Sequence, residues 1–345
     1  MHSTMSKSTQ EAIARLVARS FEAKLRNDGR PYMIGHFITN HCMCKCASCL
    51  WKHNDWPEVP LEEVKRFYTQ AKAEGFLATA FTGGEPFLRQ DFGEIVRFVK
   101  EEAQMNILTF TTGFFLEKRM HEVLPWLDML IVSIDSADPA RHDEIRGVKG
   151  LFDKAVIGAM EARRAYPHLS MQFNTCVQKG IEDEIDGLLD LAKRVGIRIS
   201  FDVITEFRNG EDDHFTENDC GLAMPELQAV CRDLLARKAA GAPIVNSERY
   251  FQYFVDGRRG YTCHHPKLIM SVDGRGNIED CLNLDQPIAN FRDTPLSEIL
   301  ALPRFKQLRC DAEKCCTCSS PTMVDLSHLW ENPAIAFQPG GIHVN

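Results

Sequence analysis

Residues 39 to 54 read TNHCMCKCASCLWKHN, with four cysteines in eight positions. Cys42, Cys46 and Cys49 follow the spacing C-x3-C-x2-C, and Cys44 falls between the first two. Three thiolates on one tight loop can hold three irons of a four-iron cubane and leave the fourth iron open to an outside ligand. Zinc more often takes two separate cysteine knuckles. The spacing therefore favours iron–sulfur, with zinc or a plain structural role as the alternative. Cys44 is surplus to the set and is expected to point away from the metal.

A second signal follows one strand later, in FTGGEP at residues 81–86. Gly83 and Gly84 would let a ligand lie against bare backbone. Glu85 offers a carboxylate to an ammonium group, and Pro86 stiffens the turn. A third signal lies near the C-terminus, in YTCHHPKLIMSVDGRGNIEDC and RCDAEKCCTCSSP. Cys263, Gly276 and Cys281 form C-x12-G-x4-C, which reads as a β-hairpin with a glycine turn and a cysteine on either side. Cys315-x2-Cys318 would close a four-thiol set. Cys310 or Cys316 remain open as replacements for Cys315, His264 as a further participant, and zinc as the metal. Cys176, Cys220 and Cys231 read as ordinary semi-buried thiols.

Elements able to position these residues are visible between 31 and 210. Apolar strand-like runs (YMIGHFIT, FLATAFTG, NILTFTT, DMLIVSID, LSMQFNTCV, IRISFDVIT) alternate with amphipathic helical stretches, six strand–helix units in all. Asp91 is a candidate N-cap for the helix after the second strand. Continuous apolar strands of this kind suit a parallel sheet under helices. A full eight-unit barrel needs about 250 residues, so this α/β segment predicts a partial (β/α)6 TIM-type barrel. In such a barrel the loops that follow the strands carry the chemistry.

Residues 1–30 predict an amphipathic helix with Ile13, Leu16, Val17, Phe21 and Leu25 on one face. A helix capping the barrel is the simpler reading of it, and contact with a membrane surface the other. Residues 211–242 read as a helical linker, and 243–345 as a small irregular α+β domain. The 345-residue chain carries a net charge of −8, which disfavours a nucleic-acid partner. It has neither a signal-peptide pattern nor a spanning apolar run, so a cytoplasmic location is expected, where its thirteen cysteines serve metal or redox chemistry.

Taken together, C-x3-C-x2-C after a first barrel strand and GGEP after the second resemble the radical S-adenosylmethionine (SAM) superfamily, over roughly residues 32–210. The resemblance implies a [4Fe–4S] cluster on Cys42, Cys46 and Cys49 whose fourth iron is chelated by the amino and carboxylate groups of SAM. It further implies that Gly83, Gly84 and Glu85 hold the methionine ammonium. One-electron reduction would then release a 5′-deoxyadenosyl radical that takes a hydrogen atom from the substrate. By the same resemblance Ser133 and Arg146 would meet the SAM carboxylate or ribose, and Asn174 the ribose. Thr112 stands where the family has asparagine, and Ser48 where it has an aromatic residue that Trp51 could replace.

The C-terminal cysteines resemble the twitch form of the SPASM domain, which implies a second, fully protein-ligated [4Fe–4S] cluster on Cys263, Cys281, Cys315 and Cys318. Asp202, Glu206 and Arg208, on the sixth strand and its loop, are the candidates for groups that orient substrate or take a proton. The function expected is hydrogen abstraction from a small sugar-like or lipid metabolite, ending in oxidation, elimination or C–C bond formation. A flavodoxin- or ferredoxin-type protein would donate the electron. The short segment before Cys42 argues against a leader-binding domain, although maturation of a ribosomal peptide remains the alternative. A non-catalytic iron–sulfur or zinc protein is the alternative of another class.

Overall fold

The computed structural model describes residues 7–25, 29–49, 56–204, 207–209, 215–282, 286–315 and 318–332. Six parallel strands form its centre: β1 (Met33–Thr39), β2 (Ala78–Gly83), β3 (Asn106–Thr111), β4 (Met129–Ser133), β5 (Ser170–Val177) and β6 (Arg198–Val203). They pair in sequence order, and each begins and ends within about two residues of the run that predicted it. The fold is a partial (β/α)6 barrel, as expected. A short hairpin, β7 (Phe207–Asn209) with β8 (Phe215–Glu217), follows β6.

The helices α2 (Leu61–Ala73), α3 (Phe92–Glu101), α4 (Leu116–Val123), α5 (Pro139–Arg146), α6 (Leu151–Ala165) and α7 (Ile185–Val195) cover the strands, with α1 (Lys7–Leu25) preceding them. Each covering helix except α5, which buries only His142, buries one apolar face; α7 does so through Ile185, Leu188, Leu189, Leu191, Ala192 and Val195. Asp91 does sit at the start of α3, but its side chain makes no capping bond there. Its carboxylate instead pairs at 2.6 Å with Arg89, whose guanidinium also donates to the carbonyls of Ile38 and Val59. A buried guanidinium needs a carboxylate more than the helix end needs a cap.

Beyond the barrel lie α8 (Met224–Ala239), α9 (Glu248–Val255), α10 (His265–Leu268), β9 (Ile269–Val272), β10 (Asn277–Ile278), β11 (Ala289–Asn290), α11 (Leu296–Ala301), α12 (Pro303–Asp311) and α13 (Pro321–Glu331). Strands β9 and β10 are antiparallel across the glycine turn, where Gly276 takes a φ of +90°. This hairpin does not stand apart. β9 runs parallel to β1, pairing Met33 with Ile269 and His36 with Val272, so one nine-stranded sheet spans both parts of the chain.

Helix α1 packs on the barrel's first strand and on α13. Val17, Ser20 and Ala23 are buried, the Ser20 hydroxyl bonds to that of Tyr32, and Lys24 donates to the Glu331 carbonyl. Phe21 is 48% exposed, so the buried face is rotated from the expected one. The side chains of Ile13, Leu16 and Leu25 lie outside the described residues. Among the described residues no helix is long and apolar enough to cross a membrane.

Candidate functional site

The loop after β1 and the turns after β2, β3 and β4 converge on one cavity of about 290 Å³. Cys42, Cys46 and Cys49 line it together with Gly83, Gly84, Ser133 and Arg146. Cys44 lines it too, contrary to expectation. Its thiol hydrogen-bonds to both Cys42 and Cys46, because the backbone on either side is pinned. The Cys44 N–H points at the Cys42 sulfur at 3.4 Å, and the Lys45 N–H donates to the Arg146 carbonyl at 2.9 Å. Hydrogen bonding from Cys44, and then the nearby Arg146 guanidinium, draw the Cys46 thiol down to about 6 against the opposing effect of burial. Thiols held in this way are suited to bind metal as thiolates.

The two glycines serve a seam between backbones. The Gly84 N–H donates to the Thr39 carbonyl and the Glu85 N–H to that of His41, both at 2.8 Å. A β-carbon on Gly83 would come within 2.3 Å of the Thr39 oxygen, and one on Gly84 within 2.1 Å of the His41 oxygen. Only glycine allows the turn to close on the base of the cysteine loop, and in doing so it leaves bare backbone in the cavity wall.

Glu85 itself is fully buried and is not part of the cavity lining. Its carboxylate accepts hydrogen bonds from Phe87 N (2.9 Å), Thr111 Oγ1 (2.8 Å) and Thr112 N (2.6 Å). Burial holds its pKa above the ordinary carboxylate value. Glu85 thus braces the end of β2 against the end of β3, and Thr112 stands at the far side of that brace.

Arg146, at the end of α5, pairs through Nε with the buried carboxylate of Asp135 at 2.6 Å. The Asp135 carboxylate also accepts from Cys176 N at 3.0 Å. From there a polar wall runs across one face of the last three barrel strands. Ser133 is in register with Asn174, Asn174 with Ser200, and Cys176 with Asp202. The opposite face of β5 and β6 carries Phe173 and Phe201 into the core. Ser200 Oγ donates to Asn174 Oδ1 at 2.5 Å. Burial lifts the Asp202 carboxyl to about 7, although hydrogen bonds with Asn246, Ser200 and Asn174 pull the other way. Cys176 is raised by burial and by Asp135 and Asp202. Asn174 and Asp202 therefore share a network next to the cavity rather than lining it. Glu206, Trp51 and the side chain of Arg208 lie outside the described residues.

The C-terminal thiols also gather. Cys318 hydrogen-bonds to Cys263 and lies within electrostatic reach of Cys315 and Cys281. Hydrogen bonding from Cys318 and then from Tyr261 draws the Cys263 thiol down to about 6. Cys310 is exposed, Cys316 lies outside the described residues, and His264 is engaged by Glu313 and Glu331 at 3.6 and 3.5 Å. Among the described residues, no three His, Cys, Asp or Glu side chains converge as they would on a single metal ion.

Sequence reading missed Asp135, although SID was in view, because nothing local links it to an arginine eleven positions on. Tyr250 was missed as well. Its hydroxyl accepts from Val203 N at the end of β6 and donates to the Ser319 carbonyl, next to Cys318.

A donor set of clustered thiols beside a bare glycine turn, at the end of a parallel barrel, fits an iron–sulfur cluster and a small ligand. The family model for the radical SAM superfamily matches residues 37–204. Residues 37–204 form a radical SAM domain. Such a domain implies a [4Fe–4S] cluster and SAM.

Among relatives, a probable GTP 3′,8-cyclase of Methanocella arvoryzae is 30% identical over 209 residues, 58% of this chain and 66% of the cyclase. This chain thus spans just under two thirds of that relative. An AdoMet-dependent heme synthase of Methanosarcina barkeri is 29% identical over 348 residues, covering 90% of this chain and 97% of the synthase. In solved structures, SuiB of Streptococcus suis bound to S-adenosylmethionine superposes with a TM-score of 0.67 at 18% identity, over 89% of this chain and 80% of SuiB. That likeness carries the fold.

Proposed function

We propose that this radical SAM enzyme abstracts a hydrogen atom from a small polar metabolite and uses a second iron–sulfur cluster in the C-terminal segment. The observation that carries the reading is the convergence of the cysteine loop, the Gly83–Gly84 turn, Ser133 and Arg146 on one cavity. Cys42, Cys46 and Cys49 would hold the first cluster, and Cys263, Cys281, Cys315 and Cys318 the second. When bound, the first cluster and SAM supply a 5′-deoxyadenosyl radical for hydrogen abstraction.

The chain's own residues would bind and orient around that chemistry. The bare backbone at Gly83 and Gly84 would receive the methionine ammonium, held in place by the Glu85 brace. Ser133 and Arg146 would meet the carboxylate or ribose, with Asp135 fixing the Arg146 head. The wall of Ser133, Asn174, Ser200 and Asp202 favours a substrate rich in hydroxyl or amide groups. Asp202, with its pKa near neutrality, would take a proton from the oxidised substrate.

A sugar-like substrate suits this wall better than a lipid does, and the outcome would be oxidation, elimination or C–C bond formation. The relatives named for GTP cyclisation and heme synthesis also support a small molecule over a peptide. The electron would come from a flavodoxin- or ferredoxin-type donor.

The test is anaerobic purification, iron and sulfide counts per chain, and 5′-deoxyadenosine release from SAM with dithionite. About eight irons are expected in the wild type and about four in Cys42→Ala/Cys46→Ala/Cys49→Ala or in Cys263→Ala/Cys281→Ala, two cubanes being the arithmetic. SAM cleavage should be lost in the first variant. Zinc in place of iron, or iron without SAM cleavage, would overturn the reading.

A further inference from the structure

Four thiols line the cavity, and the proposed first cluster uses three. Cys44 is not a bystander turned to solvent. It lines the cavity with Cys42, Cys46 and Cys49, and its thiol hydrogen-bonds to the two ligands on either side. The loop is held in that conformation from outside by Lys45 N–H to the Arg146 carbonyl and Asn218 Nδ2 to the Ser48 carbonyl at 3.2 Å, and from within by Cys49 N–H to the Cys46 carbonyl. A cubane has four irons, and four thiolates are its usual complement. The fourth iron must be open to SAM during turnover and must carry some other ligand before SAM arrives. A thiol tethered to the same loop competes for that position at an effective concentration in the millimolar range or above.

We infer that Cys44 is an exchangeable fourth ligand, which caps the fourth iron in the SAM-free protein and yields it to SAM. The inference rests on the reading of Cys42, Cys46 and Cys49 as cluster ligands. The exchange is a ligand substitution with no change in oxidation state. The iron–sulfur bond to Cys44 breaks, bonds to the amine and carboxylate of SAM form, and the freed thiolate takes the proton that the SAM ammonium gives up. The cap would protect the exposed corner of the cluster from oxidative iron loss when no SAM is present. It would also set a threshold for SAM binding.

The experiment uses the full chain as wild type, Cys44→Ala and Cys44→Ser, each reconstituted anaerobically with 57Fe and sulfide. Each is divided into portions with and without SAM. Mössbauer spectra report the ligand environment of the fourth iron, and electron paramagnetic resonance after a brief ferricyanide treatment counts three-iron clusters. The C-terminal cluster is common to all samples and cancels in the difference.

Without SAM, the wild type should keep its fourth iron while both variants lose it to the three-iron form. With SAM, all three should resist alike. If the thiol caps nine-tenths of SAM-free molecules, Cys44→Ala should bind SAM about tenfold tighter than wild type by equilibrium dialysis. Equal iron loss and equal SAM affinity across the three proteins would overturn the inference. So would loss of the whole cluster in both variants, since Cys44 would then be a permanent ligand. Wild type that takes up no iron at this site would instead sink the underlying reading.

Discussion

Gly84 lies where the turn after β2 meets the cysteine loop, and one added methyl group tests that seam. The β-carbon of Gly84→Ala would lie 2.1 Å from the His41 carbonyl oxygen and 2.5 Å from its carbon. Both are backbone atoms, so neither can swing aside. Relieving the contact to 3.0 Å needs about 0.9 Å of separation (3.0 − 2.1). Two 2.8 Å hydrogen bonds cross the seam, from Gly84 N to Thr39 O and from Glu85 N to His41 O. Stretched by that much, both pass beyond hydrogen-bond length. Two lost bonds in a buried seam cost about 2–4 kcal/mol, less than the roughly 5–15 kcal/mol that keeps a typical chain folded.

The variant should therefore fold, with its melting temperature lowered by about 3–6 °C for a chain of 345 residues. Chemistry should suffer more, since displacement of binding groups by about 1 Å costs on the order of 100-fold in rate. The assay is 5′-deoxyadenosine release from SAM with dithionite, at a temperature where the variant is folded by circular dichroism. Gly196→Ala is the control. It strains a backbone at φ 76° but meets no atom within 4 Å, so it reports stability loss alone. If Gly84→Ala releases 5′-deoxyadenosine within about threefold of that control, the reasoning from the seam to the site is wrong.

Three further outcomes are expected. Tyr250→Phe removes the hydroxyl that satisfies Val203 N–H and the Ser319 carbonyl, and leaving two buried backbone groups unpaired should cost about 2–4 kcal/mol in urea unfolding; a loss below about 1 kcal/mol would show that water replaces the hydroxyl. Arg146→Met should cost about 3–5 kcal/mol by stranding the buried Asp135 carboxylate, and adding Asp135→Asn should recover part of it; additive losses in the double-mutant cycle would mean that the ion pair contributes nothing. The folded chain holds a proton on Asp202 up to about pH 7, which the unfolded chain releases near 4, so stability should fall as pH rises between those values and level off above them. Asp325, at about 6, and Glu279, at about 7, act in the same direction. Urea midpoints across that range should slope downward, less steeply in Asp202→Asn, and a rising slope would contradict the assignment.

What was legible in the sequence is what local chemistry determines. Apolar runs of seven to nine residues alternating with amphipathic helices read as buried strands, and six such units in about 180 residues read as a partial barrel. The cysteine spacing revealed which thiols share a loop, but not the direction of the middle one. Whether Cys44 faces in or out depends on Arg146, a hundred positions away, whose carbonyl pins Lys45. GGEP was legible as a motif, but not the packing its residues do within the fold. The glycines were read as space for a ligand and turn out first to be space for another strand's backbone. Glu85 was read for its charge alone, and its carboxylate also braces β3. The pairing of β9 with β1 had no local signal at all, since a four-residue strand more than two hundred positions away selects its partner through tertiary packing.

That pairing bears on how the two thiol sets relate. A C-terminal segment that only docked on the barrel could carry its cysteines without affecting the strands that face substrate. Here the attachment is made at both edges of the barrel. β9 extends the sheet beside β1, the strand that leads into the first cysteine loop. At the other edge, Ile244 bridges to Ile199, and Asn246 exchanges hydrogen bonds with the backbone of Phe201 on β6. Next along, Tyr250 ties Val203 to Ser319, and Ser247 is bonded to Asp325 of α13. Asp202 lies between Phe201 and Val203, so the strand carrying the proposed proton acceptor is held on both sides by the segment that bears Cys318. A cluster bound to Cys263, Cys281, Cys315 and Cys318 would therefore bear on the position of Asp202 through Ser319 and Tyr250.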